Sequence, residues 1–183
     1  MGPYSNRRAM SVLFLVFALA APRPAIAADT YVSPRDFLAQ SFDGAVPAPS
    51  MLWIDRALKA RMRQRLGRVY PGFRLRYWTR SGRTAWILDA IGKYEPITTG
   101  IVVDNGRISR VAVLVYRESH GWEVRHAFFT NRFVGAKLGA DDNLTQDIDN
   151  ISGATLSVNA LKWQARLALL LHERALGRAR ESR

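Results

Sequence analysis

Between two apolar runs, Ile97 to Val103 and Ile108 to Tyr116, the chain reads Asp104-Asn105-Gly106-Arg107. Asn-Gly tolerates the positive φ that a type I′ turn needs at both central positions, and that turn suits the twist of two antiparallel strands. The second run alternates, with Val111, Val113 and Val115 on one face. This is the pattern of a strand with one face buried, so the stretch is predicted to be a tight antiparallel hairpin. A further turn, Arg80-Ser81-Gly82-Arg83, joins the alternating Phe73 to Trp78 to a second strand, Thr84 to Ile91. Four strands in sequence, linked by tight turns, make an antiparallel sheet.

Helical patterns flank that sheet. Ser33-Pro34-Arg35-Asp36 places a hydroxyl cap, a first-turn proline and an acid in the order that starts a helix, predicted over Pro34 to Phe42. After a connector with Gly44, Pro47 and Pro49, Leu52, Leu58, Met62 and Leu66 suggest a second helix from Met51 to Leu66. Val124 to Val134 reads as helical, although Phe128, Phe129 and Thr130 also suit a strand. Leu156 to Leu176 is the longest helical pattern, with a face broad enough to be well buried. The expected fold is α+β: an antiparallel sheet of about four strands, N-terminal helices and a long C-terminal helix.

Arg7 and Arg8 precede an apolar run from Met10 to Ala21, too short to span a bilayer, and Ala25-Ile26-Ala27 has the form of a cleavage site. Residues 1–27 are therefore expected to be a secretory signal peptide, and the protein to work at a periplasmic or extracytosolic membrane face. Twin arginines leave two export routes open. The chain has no cysteine, which excludes disulfides, thiolate-held metals and clusters, and lipidation at a terminal cysteine. Net charge is +12, from 27 basic and 15 acidic residues. Without the three arginines of residues 1–27 it is +9. In an exported chain this favours an anionic membrane surface or an acidic protein over nucleic acid. Many of the arginines simply coat solvated helix faces.

No persuasive catalytic set is visible. His120, His126 and His172 have no recognised metal spacing, and there is no nucleophile elbow, P-loop or dinucleotide fingerprint. Glu118 and Glu123 suggest a carboxylate pair, or salt bridges to the many arginines. Tyr94 and Trp122 are suited to pack against a ring, or simply into a core.

One short stretch remains: Asp149-Asn150-Ile151-Ser152-Gly153-Ala154-Thr155, immediately before the last helix. A helix start leaves amide donors without internal partners, and with the dipole these attract an anion. Gly153 permits close approach to the backbone, Thr155 offers a hydroxyl, and Asp149 could orient the loop or hold a metal during attachment chemistry. The plainer reading is an N-cap. This Asp-x-x-Ser-Gly-Ala-Thr pattern resembles the flavinylation motif of the FMN-binding domain family, found in flavin-carrying subunits of the sodium-pumping NADH:quinone oxidoreductase and RNF complexes. Gly92, Gly100-Ile101, Gly106-Arg107-Ile108, Glu118, Gly121, Phe133, Gly135 and Lys137 are similar to further family positions over roughly Ala90 to Ala165. Gly92-Lys93-Tyr94-Glu95-Pro96 departs from the family's Gly-Tyr-Gly-Gly, so ring contacts there are not carried over.

The resemblance implies a domain over 71–183 preceded by a helical segment over 28–70. It implies FMN joined through a phosphoester to Thr155 by a flavin transferase that uses FAD and a divalent metal. Ser152, Gly153, Ala154, Asp149 and Glu118 would form the rest of the cofactor site, with no resident metal. A covalent tether suits an exported protein, because a reversible flavin would dissociate where free flavin is scarce. The expected role is an electron carrier between a membrane reductase and an extracytosolic acceptor, not a stand-alone enzyme. Two other readings stay open: a basic interaction module without flavin, and a flavin-dependent reductase with its own substrate.

Overall fold

The computed structural model describes residues 29–181. The expected signal segment, residues 1–27, lies outside them. Six antiparallel strands form one sheet: β1 (Asp29–Thr30), β2 (Ser50–Trp53), β3 (Arg74–Arg80), β4 (Arg83–Ile91), β5 (Pro96–Asp104) and β6 (Arg107–Tyr116). Their order across the sheet is β1-β6-β5-β4-β3-β2. The central four are the predicted strands. Both turns have the expected geometry, with φ +48° and +76° at Asn105 and Gly106, and +50° and +81° at Ser81 and Gly82.

The two additional strands come from the segment expected to be helical. Met51 to Leu66 is not one helix. Met51 and Trp53 are exposed and Leu52 is buried, a period of two, and β2 pairs with β3 in the register Met51↔Arg76 and Trp53↔Arg74. Asp55 then ends the strand by capping a helix, its Oδ1 accepting from Leu58 N–H at 2.8 Å. The helices are α1 (Pro34–Ser41), α2 (Arg56–Leu66), α3 (Ala127–Thr130) and α4 (Thr155–Glu181). β1 pairs with β6 and β2 with β3, so both extra strands join the one sheet.

Two layers of helix cover the sheet. On one face α1 packs Phe37, Leu38 and Phe42 against Ala85, Val102 and Leu114. Gly100 makes this possible: a Cβ there would lie 2.6–2.7 Å from the Phe37 ring. On the other face α2 and α4 enclose the larger core, including Trp86, Leu88, Ile97 and Ile101. The predicted helix over Val124 to Val134 is instead α3 between two 3₁₀ turns, Trp122–Arg125 and Asn131–Phe133. His126, at ψ 150°, interrupts any continuous helix.

Polar contacts fix α4 to the sheet. Gln164 Nε2 donates to the carbonyls of Leu88 (2.9 Å) and Ile97 (3.0 Å). His172 is buried, and Gly106 N–H donates to its Nε2 at 3.2 Å. That bond leaves the ring proton on Nδ1, which donates to Thr84 Oγ1 at 2.8 Å. The same hydroxyl accepts from Trp86 Nε1 at 2.9 Å. Desolvation lowers the His172 pKa, with Glu173 and Asp104 pulling the other way.

Candidate functional site

The start of α4 meets the β4–β5 loop and the segment after β6. Ala154 N–H donates to Ile151 O at 2.9 Å, closing a tight turn in which Gly153 has φ +80°. A side chain at 153 would be strained by that angle, so glycine is required there. Val158 N–H then reaches back to Ala154 O at 2.9 Å. Ala154 thus occupies the capping position, and Thr155 is the first helical residue. The plain N-cap reading is excluded for Thr155, and alanine has no side-chain acceptor for the amides of the first turn. Thr155, Ser152 and Gly153 are exposed, whereas Ala154 is buried.

Ala154 is buried against a second support. Gly121, at φ +80°, brings the backbone so close that a Cβ would lie 3.1 Å from both Ala154 Cβ and Ser157 Oγ. Burial holds the Tyr116 phenol above its usual pKa, and its proton is donated to His120 O at 2.5 Å. Ser157 Oγ, 3.0 Å from the phenol oxygen, is then the donor of that pair. This chain of contacts fixes the 120–121 segment to the helix start. Tyr116 and Ser157 carried no signal in the sequence, because their pairing depends on bringing β6 against α4.

Glu118 shapes the opposite wall. Its Oε1 accepts from three consecutive backbone amides, those of Lys93, Tyr94 (2.7 Å) and Glu95 (3.0 Å). Gly92 lets it approach, since a Cβ there would lie 2.8 Å from Glu118 Oε1. Glu118 therefore organises the loop that presents Lys93 and Tyr94, and does not form a carboxylate pair with Glu123. Asp149 is further out, ion-paired with Arg132 at 2.8 Å, and its side chain is 73% exposed. Among the described residues, no group of three or more His, Cys, Asp or Glu side chains is placed to hold a metal ion.

Two clefts meet at Gly153. One, of about 240 Å³, is lined by Thr155, Gly153 and Leu156 from the helix start, with Lys93, Tyr94, Glu118 and His120 from the loops. Its neighbour, about 420 Å³, is lined by Ser152, Lys93, His120, Trp122 and Glu123. Lys93, His120 and Gly153 are common to both. Within that second wall Glu123 Oε2 is buried with no hydrogen-bond partner. An acceptor in that state favours a ligand with hydroxyl or N–H donors. Tyr94 is 72% exposed and Trp122 47%, an unusual display of aromatic surface beside a cleft.

A model of the FMN-binding domain family matches residues 92–169. Over those residues, less than half of the chain, the protein is similar to an FMN-binding domain. No curated protein and no solved structure matches the chain. The matched span begins at the Glu118-held loop and runs through the first half of α4, so it encloses both clefts. A larger groove of about 620 Å³ lies along α4 between Asn143 and Arg166, but no residue of the Ser152–Thr155 motif lines it. The donor set at the motif fits FMN: a helix start and Lys93 for the phosphate, an orphaned acceptor for ribityl or ring donors, and exposed aromatics for the ring. A bound flavin supplies one- and two-electron chemistry, and this chain's residues would hold and orient it.

Proposed function

We propose that the protein is an exported electron carrier with FMN esterified to Thr155. One observation carries this reading: the Thr155 hydroxyl is exposed on the first residue of a 27-residue helix whose capping position holds alanine. An alanine cap typically forgoes about 1 kcal/mol relative to serine, threonine or aspartate. A covalently held phosphate at the same place supplies the missing acceptor for the first-turn amides. In maturation Thr155 Oγ takes the FMN moiety of FAD: the hydroxyl gives up its proton to solvent, the new O–P bond forms, the pyrophosphate bond breaks, and AMP leaves. A separate flavin transferase provides the metal and the catalysis for that step.

Once loaded, the protein relays electrons between a membrane reductase and an extracytosolic acceptor. Lys93 balances the phosphate charge, and Glu118 keeps the Lys93–Tyr94 loop in place. No proton-transfer pair is needed for such a relay, which accords with the separate fates of Glu118 and Glu123. Intact-mass measurement after co-expression with a flavin transferase tests the reading. A shift of one FMN is expected, lost in Thr155→Ala. An unmodified mass would favour the basic interaction module. Turnover of a small acceptor by the loaded protein alone would favour a reductase.

A further inference from the structure

The α1-bearing face of the sheet carries four arginines on β3 and the start of β4, and they divide into two pairs. Arg80 donates to Phe42 O (2.7 Å) and Ala45 O (2.8 Å), and Arg83 to Ser41 O (2.8 Å) and Asp104 Oδ2 (2.9 Å). Those two close the C-terminal end of α1. Arg74 and Arg76, on the same face, are exposed, and among the described residues neither makes an ion pair. Helix α1 packs mainly against β4, β5 and β6. Their cross-strand partners are apolar: Arg76 pairs with Met51, 41% exposed, and Arg74 with Trp53, 56% exposed. The carboxylate that β4 adds to this face, Asp89, already accepts from Thr98 Oγ1 at 2.5 Å.

We propose that this uncovered half of the sheet, at β2 and β3, docks the protein on an anionic lipid surface. The occupant follows from charge and shape. Two guanidiniums without acids alternate with an indole and a thioether, each pair side by side across two strands. Guanidinium binds phosphate oxygens in a fork, and tryptophan favours the headgroup level, so one planar anionic interface satisfies all four side chains together. An acidic protein would match the arginines but not the protruding apolar tips. The inference deepens the proposed membrane relay and rests on it for its purpose, while binding itself needs no flavin.

Flotation with phosphatidylcholine vesicles, with and without phosphatidylglycerol, tests it on the full-length exported protein. The wild type is expected to bind only the anionic vesicles. A basic residue near such a surface contributes roughly fivefold, so Arg74→Gln with Arg76→Gln should lower partitioning about tenfold or more. Arg56→Gln with Arg63→Gln, equal in charge but on exposed α2, should change it less than about threefold. Trp53→Ser should weaken binding with no change in charge. Unchanged urea midpoints show that these exposed substitutions leave the fold intact. Equal losses from both arginine pairs, or equal binding by all variants, would overturn the proposal. So would a wild-type dimer that Trp53→Ser dissociates, which would mark the face as a contact between copies. Thr155→Ala should float like wild type. Retained flotation without any flavin in the wild type would sink the relay and spare the docking face, and the reverse result would do the opposite.

Discussion

Near its far end α4 buries His172 with both ring nitrogens bonded, to Thr84 and Gly106, while its first residue sits exposed after an alanine cap. The first region is scaffold: each of those polar atoms has a partner, and the contacts join helix to sheet. The second withholds a cap, bends the chain through Gly153 and presents a hydroxyl beside two clefts. The contrast teaches where this fold spends its order. A long, well-anchored helix holds its own N-terminus still, so local stability can be given up there for a ligand.

Thr84→Val breaks the scaffold side most severely. It leaves the donors Trp86 Nε1 and His172 Nδ1 buried without an acceptor, and a loss of about 3 kcal/mol in urea unfolding is expected. A loss under about 1 kcal/mol would mean that the clamp contributes little. Acidification attacks the same place by a smaller amount. Burial lowers the His172 pKa below 6.5, so the unfolded chain takes up its proton first as pH falls. This contribution to stability is full above about pH 6.5 and is lost as pH drops through that value towards the lower folded pKa. Urea midpoints measured from pH 8 to 5 should fall accordingly, and His172→Leu should flatten that part of the slope.

On the ligand side the expected changes in stability are smaller. Gly92→Ala forces Glu118 off the amides of residues 93–95, at about 1 kcal/mol because the latch is exposed, and it should slow flavin loading. Loading at the wild-type rate would separate the latch from the site. Ala154→Ser restores a capping hydroxyl, with an expected gain below about 1 kcal/mol in the flavin-free protein. That gain should vanish in the loaded protein, where the phosphate already serves the same amides. An equal gain in both forms would break the comparison, because the helix start would then owe nothing to a ligand.

Much of this was legible in the residues. Asn105-Gly106 and Ser81-Gly82 specify local backbone angles, so the hairpins and the order of the central strands follow from short stretches of chain. The start of α4 is legible for a similar reason, since Ser152-Gly153-Ala154-Thr155 is contiguous and leads into a long apolar-periodic stretch. What escaped depends on contacts between distant segments. Met51-Leu52-Trp53 is too short for its alternation to outweigh the helical spacing of Leu52, Leu58, Met62 and Leu66, and only the edge of β3 makes it a strand. Glu118 stands out in the sequence, but its grip on three amides requires the 92–96 loop to fold back over it. The orphaned oxygen of Glu123 and the Tyr116–Ser157 pair are likewise products of tertiary packing.

The central claim is a bond at one atom, and peptide mapping by tandem mass spectrometry of protein matured with a flavin transferase examines that bond directly. The account predicts a single FMN adduct on the peptide spanning 149–162, with fragment ions placing it on Thr155 and none on Ser152. An adduct on any other residue, or an unmodified peptide from protein whose transferase flavinylates a known substrate in the same cells, would contradict it.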